Sequence, residues 1–243
     1  MTERTGSFRR RLHQGDDLSG VVVRTPSHQV VEVLVATMVP DLVMLDTEHA
    51  AWSADALDAT IAVAAALDLP VLVRVPELSP AALQRPLDMG ATGVVVPHVR
   101  SVEEAARAVT LAHYGDGGRG YSGSTRSAGW GTRPMGAVLD EARARTAVVV
   151  QVEDPDALAE IDAIAATPGV DAVFVGAADL AVALGARSLG DDVVVEAVDR
   201  VVAACRAAST TVMAFAGDAG AASEWRHQGV RCVLLGTDQA RLR

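Results

Sequence analysis

The feature that most restricts the fold is a unit that recurs along the whole chain: a short Val-rich run, a turn with a helix-capping residue, then an amphipathic stretch. Val-rich runs without polar alternation suit strands buried on both faces, and a helix between successive strands returns the chain so that they pair in parallel. Eight such runs are predicted as strands, at 19–24, 41–46, 70–75, 93–97, 147–153, 171–176, 211–215 and 232–236. Amphipathic stretches between them fall at 27–37, 53–67, 79–89, 101–113, 155–166, 193–208 and 219–228. Ser27, Ser53, Ser79 and Ser101 stand where a hydroxyl can accept from the unpaired amides of a first helical turn. Pro86 is expected to kink or shorten the third of these helices. Eight strands alternating with helices predict an α/β chain closed into a (β/α)8 TIM barrel.

Length agrees, since 243 residues is close to the roughly 250 of such a barrel. No linker or shift of composition interrupts it, so residues 1–243 are expected to form a single barrel domain. The last strand is followed only by residues 237–243, which predicts a short or missing eighth helix. The apolar barrel surface so exposed is expected to be covered by a neighbouring subunit, making a homo-oligomer.

Hydrophobic residues make up 50% of the chain but aromatics only 3%, so the core must be built from Val, Ala and Leu. A formal charge of −10 argues against nucleic acid and against an anionic membrane as partners, because phosphate binding needs basic clusters. The one basic run, Arg9-Arg10-Arg11, reads as a solvated helix face. Cys205 and Cys232 are isolated in apolar surroundings, which fits buried thiols in a reducing cytoplasm rather than a disulfide or a Cys-based metal site. The first eighteen residues lack the apolar core of a signal peptide. No apolar run approaches the roughly 18–20 residues of a membrane span, and the expected location is cytoplasmic.

In a parallel barrel the chemistry sits at the carboxyl ends of the strands. The stretch 148–181 places Glu153 beyond one strand and Asp179 beyond the next. Two carboxylates held side by side repel unless a cation lies between them, so Glu153 and Asp179 are read as a divalent-metal site. The second strand closes as Leu45-Asp46-Thr47-Glu48-His49, which offers an imidazole among acidic neighbours as a proton shuttle. Arg74 ends the third strand, where a guanidinium can grip an α-keto acid and stabilise an enolate oxygen. Gln151 shares a face with Glu153, and Gly176-Ala177-Ala178 would let backbone amides reach a substrate carboxylate. Each residue alone has a structural reading: Glu153 as a helix cap, Asp179 in a turn, His49 as a hydrogen-bonded surface residue, Arg74 paired with Glu77 or Asp46. Convergence of four strand ends on one enolisation chemistry favours the functional reading. His98, just past Pro97, is a further rim candidate; His28, His113 and His227 have no assigned role. The Gly-rich connection 114–133, with Arg119 and Arg126, either lines the site or forms a surface loop. The chain contains no lysine, which excludes Schiff-base chemistry on a carbonyl substrate.

The ordered set LDTEHA, LVRVP, GATGVVVPHV, QVED and VFVGAADLA resembles the HpcH/HpaI aldolase family, the metal-dependent class II pyruvate aldolases, from about Gly20 to Asp238. The resemblance implies a (β/α)8 barrel that cleaves a 4-hydroxy-2-oxo acid reversibly to pyruvate and an aldehyde, with Mg²⁺, Mn²⁺ or Co²⁺ polarising the 2-oxo group. It further implies Glu153 and Asp179 as metal ligands, His49 as acid/base acting with Asp46, and Arg74 at the enolate. Gln151 would contact substrate or a metal-bound water, and the amides near Gly176 and Ala178 would hold the pyruvate carboxylate. It also implies a homo-oligomer, a hexamer or trimer, although the short C-terminus departs from the family's exchanged helix. Ala177 replaces a family proline, and residues 121–125 depart from the usual loop pattern. The same superfamily offers an oxaloacetate decarboxylase or acyl-CoA lyase as alternatives, and a metabolite-binding barrel without turnover is another.

Overall fold

The computed structural model describes residues 3–241. Its eight strands are β1 (Leu18–Val23), β2 (Leu42–Asp46), β3 (Val71–Arg74), β4 (Gly93–Val96), β5 (Ala147–Val152), β6 (Ala172–Val175), β7 (Thr211–Ala216) and β8 (Cys232–Thr237). They close in sequence order, each parallel to the next, and β8 pairs with β1. The helices are α1 (Glu3–Gln14), α2 (His28–Met38), α3 (Ala54–Ala66), α4 (Pro80–Asp88), α5 (Val102–Ala112), α6 (Met135–Arg145), α7 (Pro155–Ala165), α8 (Ala177–Ala183), α9 (Asp192–Ala208), α10 (Ala219–His227) and α11 (Asp238–Arg241). The (β/α)8 barrel expected from the sequence is therefore the observed fold.

Local chemistry starts the covering helices where the serines anticipated. Ser27, Ser53, Ser79 and Ser101 each accept a hydrogen bond from an amide of the following first turn, and Asp218 does the same for α10. Pro86 lies inside α4, which continues through it and ends two residues later.

The strands divide their side chains with a period of two. Val21, Val23, Val43, Leu45, Val71, Val73, Val148 and Val150 face outward into the layer shared with the helices. Leu18, Val22, Leu42, Met44, Leu72, Val95, Val149, Phe174, Met213 and Leu234 fill the barrel interior. Gly20 is needed inside, because a Cβ there would lie 2.7 Å from Leu42 Cγ.

The sequence reading gave the N-terminal helix α1 a solvated basic face and no packing role. It carries Phe8 and Leu12, both buried, into the interior cluster at the amino ends of the strands. Its basic run is not simply solvated: Arg9 Nε pairs with buried Asp171 at 2.8 Å, and Arg11 Nη2 with Asp41 at 2.8 Å. His13 Nε2 meets the same Asp171 oxygen at 2.7 Å. Thr211 Oγ1 donates to Leu12 O, tying β7 to the end of α1. The polar belt orients α1 while Phe8 and Leu12 exclude water from below.

At the opposite end of the chain, α11 is only four residues long. Buried Asp238 accepts the amides of Arg24 and Thr25 at 2.8 and 3.1 Å, which fastens the C-terminal segment to the end of β1. On the outward face of β8, Val233 is buried and Leu235 partly buried, so this chain itself covers much of the surface left by the short helix. Both cysteines are buried and unpaired, and burial pushes their thiols up to about 12. Among the described residues no helix is long and apolar enough to cross a membrane.

Truncating Phe8 to Ala opens a cavity where α1 seals the barrel and is expected to cost about 3–5 kcal/mol. Urea denaturation measures it; a loss under about 0.5 kcal/mol, the scale of an inconsequential surface change, would show that α1 does not seal the interior.

Candidate active site

The site begins where the interior pattern changes chemistry. Following four of the strands past their last inward apolar residue gives Arg24 after Val22, Asp46 after Met44, Arg74 after Leu72, and Gln151 then Glu153 after Val149, whereas the same step on the other four gives Pro97, Gly176, Phe215 and Gly236. On the first four strands one step in the alternation turns an apolar core into an arc of charged and amide groups.

Asp46 is the fully buried hub of one half. It accepts from Arg74 Nε at 3.0 Å and Nη2 at 2.8 Å, from Arg24 Nε at 2.9 Å, and from the His49 amide at 3.2 Å. Burial alone would raise its pKa, but Arg74, the His49 amide and Arg24 together hold the carboxyl below its ordinary value. The last of these bonds shapes the turn that presents Glu48 and His49. Thr47 reinforces that turn by donating both its amide and its hydroxyl to Arg74 O.

Glu153 is the buried hub of the other half. Gln151 Nε2 donates to its Oε2, and the His98 amide donates to its Oε1 at 2.9 Å. Burial dominates here and raises the Glu153 pKa despite these bonds. The His98 ring lies 3.3 Å from Glu153 Oε1, 3.0 Å from Asp154 Oδ2 and, through Nε2, 3.5 Å from Glu48 Oε1. Burial opposes protonation of His98, but the Asp154 bond and the charges of Glu153, Asp154 and Glu48 outweigh it and raise its pKa. His98 also has φ of 54°, a left-handed backbone that a non-glycine residue adopts at a cost and that concentrates at functional sites.

Glu48 joins the halves. Its Oε2 lies 3.2 Å from Arg74 Nε yet is buried without a hydrogen bond, because that N–H is directed at Asp46. One ligand atom each from Glu48, His98 and Glu153 lie within 4.8 Å of one another. Two carboxylates and an imidazole so close, one oxygen lacking a donor, form a donor set suited to a divalent cation.

The residues expected from the sequence are not all in this group. Gln151, Glu153, Arg74 and Asp46 come together, with Arg74 Nη1 3.5 Å from Gln151 Oε1. His49 stands at the rim with its ring half-exposed; its nearest acid is Glu48 at 3.8 Å, whereas Asp46 holds its main chain. Asp179 lies in the first turn of α8 rather than on a strand, exposed, and is not one of the three clustered groups. Gly176 sits against Glu153: a Cβ there would be 2.6 Å from Glu153 Cβ and 2.7 Å from Oε2. Its amide already donates to Val152 O, so Gly176 contributes space and not a free donor; Ala178 is exposed in the first turn of α8. Glu48, His98 and Arg24 are rim residues to which the sequence reading gave no firm role. Their signal was position alone, since each follows a strand end.

The Gly-rich connection packs on the outside of the barrel. Arg126 pairs with Asp58 of α3 through both guanidinium nitrogens at 2.6 and 2.7 Å and donates to Met89 O, while the Ser127 amide donates to Asp88 O. A groove of about 590 Å³ runs between it and α4, lined by Gln84, Arg85, Asp88, Arg126 and Trp130 among others. None of its lining residues is a strand end, so this groove and the charged rim are separate places.

The HpcH/HpaI aldolase/citrate lyase family model matches residues 19–243. A hydroxypyruvate/pyruvate aldolase of Paraburkholderia phytofirmans is 37% identical over 248 aligned positions, covering 98% of this chain and 94% of that protein. A 4-hydroxy-2-oxovalerate aldolase of Rhodococcus jostii is 37% identical over 173 positions, covering 69% of this chain and 66% of that one. Among solved structures, a family protein from Burkholderia cenocepacia superimposes with a TM-score of 0.92 at 36% identity, covering 98% of this chain and 95% of that chain. With its closed barrel and its charged rim at the carboxyl strand ends, the chain belongs to the HpcH/HpaI aldolase/citrate lyase family and is a carbon–carbon lyase.

Proposed function

We propose that the chain is a divalent-metal-dependent class II aldolase, cleaving a 4-hydroxy-2-oxo acid reversibly to pyruvate and an aldehyde. The observation that carries this reading is the gathering of Glu48, His98 and Glu153 within 4.8 Å, beside the anchored guanidinium of Arg74. The buried, undonated Oε2 of Glu48 and the raised pKa of Glu153 support a site built to hold a cation. Glu153, with Asp179 as the second carboxylate, would hold Mg²⁺, Mn²⁺ or Co²⁺, and Glu48 and His98 are gathered beside Glu153. When bound, such an ion supplies Lewis-acid stabilisation of negative charge on the 2-oxo oxygen.

The chain's own residues do the rest. Arg74, fixed by two bonds to Asp46, presents positive charge where the oxygen of the pyruvate enolate develops. Because the guanidinium is already oriented, little reorganisation is required during reaction. Gln151 holds Glu153 and would orient substrate from the end of β5. Amides of the first turn of α8, that of Ala178 foremost, would receive the substrate carboxylate. His49 takes the proton of the C4 hydroxyl as the C3–C4 bond breaks, and returns one to the aldehyde oxygen in the addition direction. Its half-exposed ring and fixed main chain suit a group that must exchange protons with solvent.

Pyruvate incubated with the enzyme and Mn²⁺ in D₂O is expected to exchange its C3 protons, and a chelator to stop the exchange. Glu153→Gln should lower exchange about a hundredfold or more, and His49→Ala should slow retro-aldol cleavage by about 10²–10⁴. Exchange that persists after chelation, or in Glu153→Gln, contradicts the metal reading. Gly176→Ala should displace the Glu153 carboxylate and reduce exchange while the circular dichroism stays native; full activity in that variant would mean that the carboxylate does not act from its observed place. Stability supplies a separate check on Asp46. Its carboxyl is depressed in the folded state, so its contribution is present above the unfolded value of about 3.9 and is lost as pH falls through the lower folded one. Asp46→Asn is expected to be less stable than wild type at pH 7 by about 3–5 kcal/mol and to flatten the acid limb. Parallel stability curves for the two proteins from pH 7 to pH 3 would contradict this.

A further inference from the structure

Arg24 is the one rim cation that the proposed chemistry does not use. It follows β1 at an inward position, and the closed strand order puts β1 four strands from β5 in either direction. Arg24 therefore faces Glu153 from directly across the barrel mouth. Its placement is firm: Asp238 accepts its amide at 2.8 Å, and its Nε donates to Asp46 at 2.9 Å. Of five guanidinium N–H donors only that one is engaged among the described residues, and the side chain is 35% exposed. Asp238, the other nearby carboxylate, is occupied with main-chain amides. Arg74, by contrast, is 8% exposed and directs its nitrogens to Asp46 and Gln151, with Glu48 alongside.

The direction of the substrate follows from this arrangement, granted the aldolase reading above. Its oxo acid end is held on the side of β5 and β6, and C4 lies near His49 beyond β2. The substituent on C4 then continues towards β1. A pinned, partly exposed guanidinium whose Nη1 and Nη2 have no partner among the described residues is a fork for two oxygens. We propose that Arg24 binds an anionic group on the aldehyde partner, so that the preferred acceptors are aldehydes bearing a carboxylate.

The alternative is that Arg24 only steadies Asp46, acting as a positioning residue through Arg74. The two roles separate in a ratio. Aldol addition of pyruvate to glyoxylate and to acetaldehyde is measured with Mn²⁺ for wild type, Arg24→Gln and Arg24→Lys. Because both aldehydes are tested on the same preparation, partial misfolding cancels from the ratio of their kcat/KM values. Binding predicts that wild type favours glyoxylate, and that Arg24→Gln lowers the glyoxylate-to-acetaldehyde ratio by about tenfold to a hundredfold, chiefly through the KM for glyoxylate. Arg24→Lys should retain part of the preference because the charge remains. An unchanged ratio in Arg24→Gln, with both substrates equally impaired or equally unaffected, overturns the proposal. So does an enzyme that exchanges pyruvate C3 protons but adds neither aldehyde. Absence of that exchange in wild type would instead remove the aldolase reading, and this inference with it.

Discussion

A carboxylate with no exposure to water, Asp46, sets the geometry of the barrel mouth. A buried charge is tolerable only when paired and hydrogen-bonded, and here two guanidinium groups and one amide meet it. Such pairs add little net stability, yet removing one partner strands the other, so their effect is to fix a unique arrangement. Arg74 cannot turn away without leaving Asp46 exposed to a low dielectric. Its position then decides where Glu48 lies, and Glu48 in turn faces His98 and Glu153. The chain of contacts runs around half the rim and ends in the gathered donor atoms of Glu48, His98 and Glu153.

The barrel makes this possible because its interior is layered. Apolar side chains from Leu18 to Leu234 fill the lower layers, with Phe8 and Leu12 of α1 as the floor. The charged layer rests on that packed core and not on loops. Precision at the rim is thus inherited from the register of neighbouring strands, in which Asp46 stands opposite Arg74 across the β2–β3 ladder. Gly176 shows how tight the fit is, since even a methyl group there would collide with Glu153.

Much of the barrel was legible in the sequence because its signals are local. Val-rich runs mark strands buried on both faces, and the four serines mark helix starts. The floor was not legible: α1 is basic and only sparsely apolar, and it becomes meaningful only when Phe8 and Leu12 meet a barrel open at one end. Asp46, Arg74, Gln151 and Glu153 could be read as strand-end residues from the alternation alone. Glu48 and His98 could not be joined to Glu153, since they reach it through closure of the sheet across separate strands and through a left-handed backbone at His98. Asp179 looked like a strand-end acid because Gly176-Ala177-Ala178 gives no sign that a helix has already begun. The connection 114–133 lacks periodicity, so nothing in it foretold that Arg126 would fasten it to Asp58 outside the barrel.

If the rim carboxylates hold a divalent cation as proposed, Mn²⁺ binding followed by electron paramagnetic resonance will report it. Titrating metal-free protein with Mn²⁺ is predicted to remove one equivalent of the free-ion signal per chain, and Glu153→Gln to abolish that uptake while remaining folded. Undiminished uptake in Glu153→Gln, or no uptake by the wild-type chain with pyruvate present, would contradict the account.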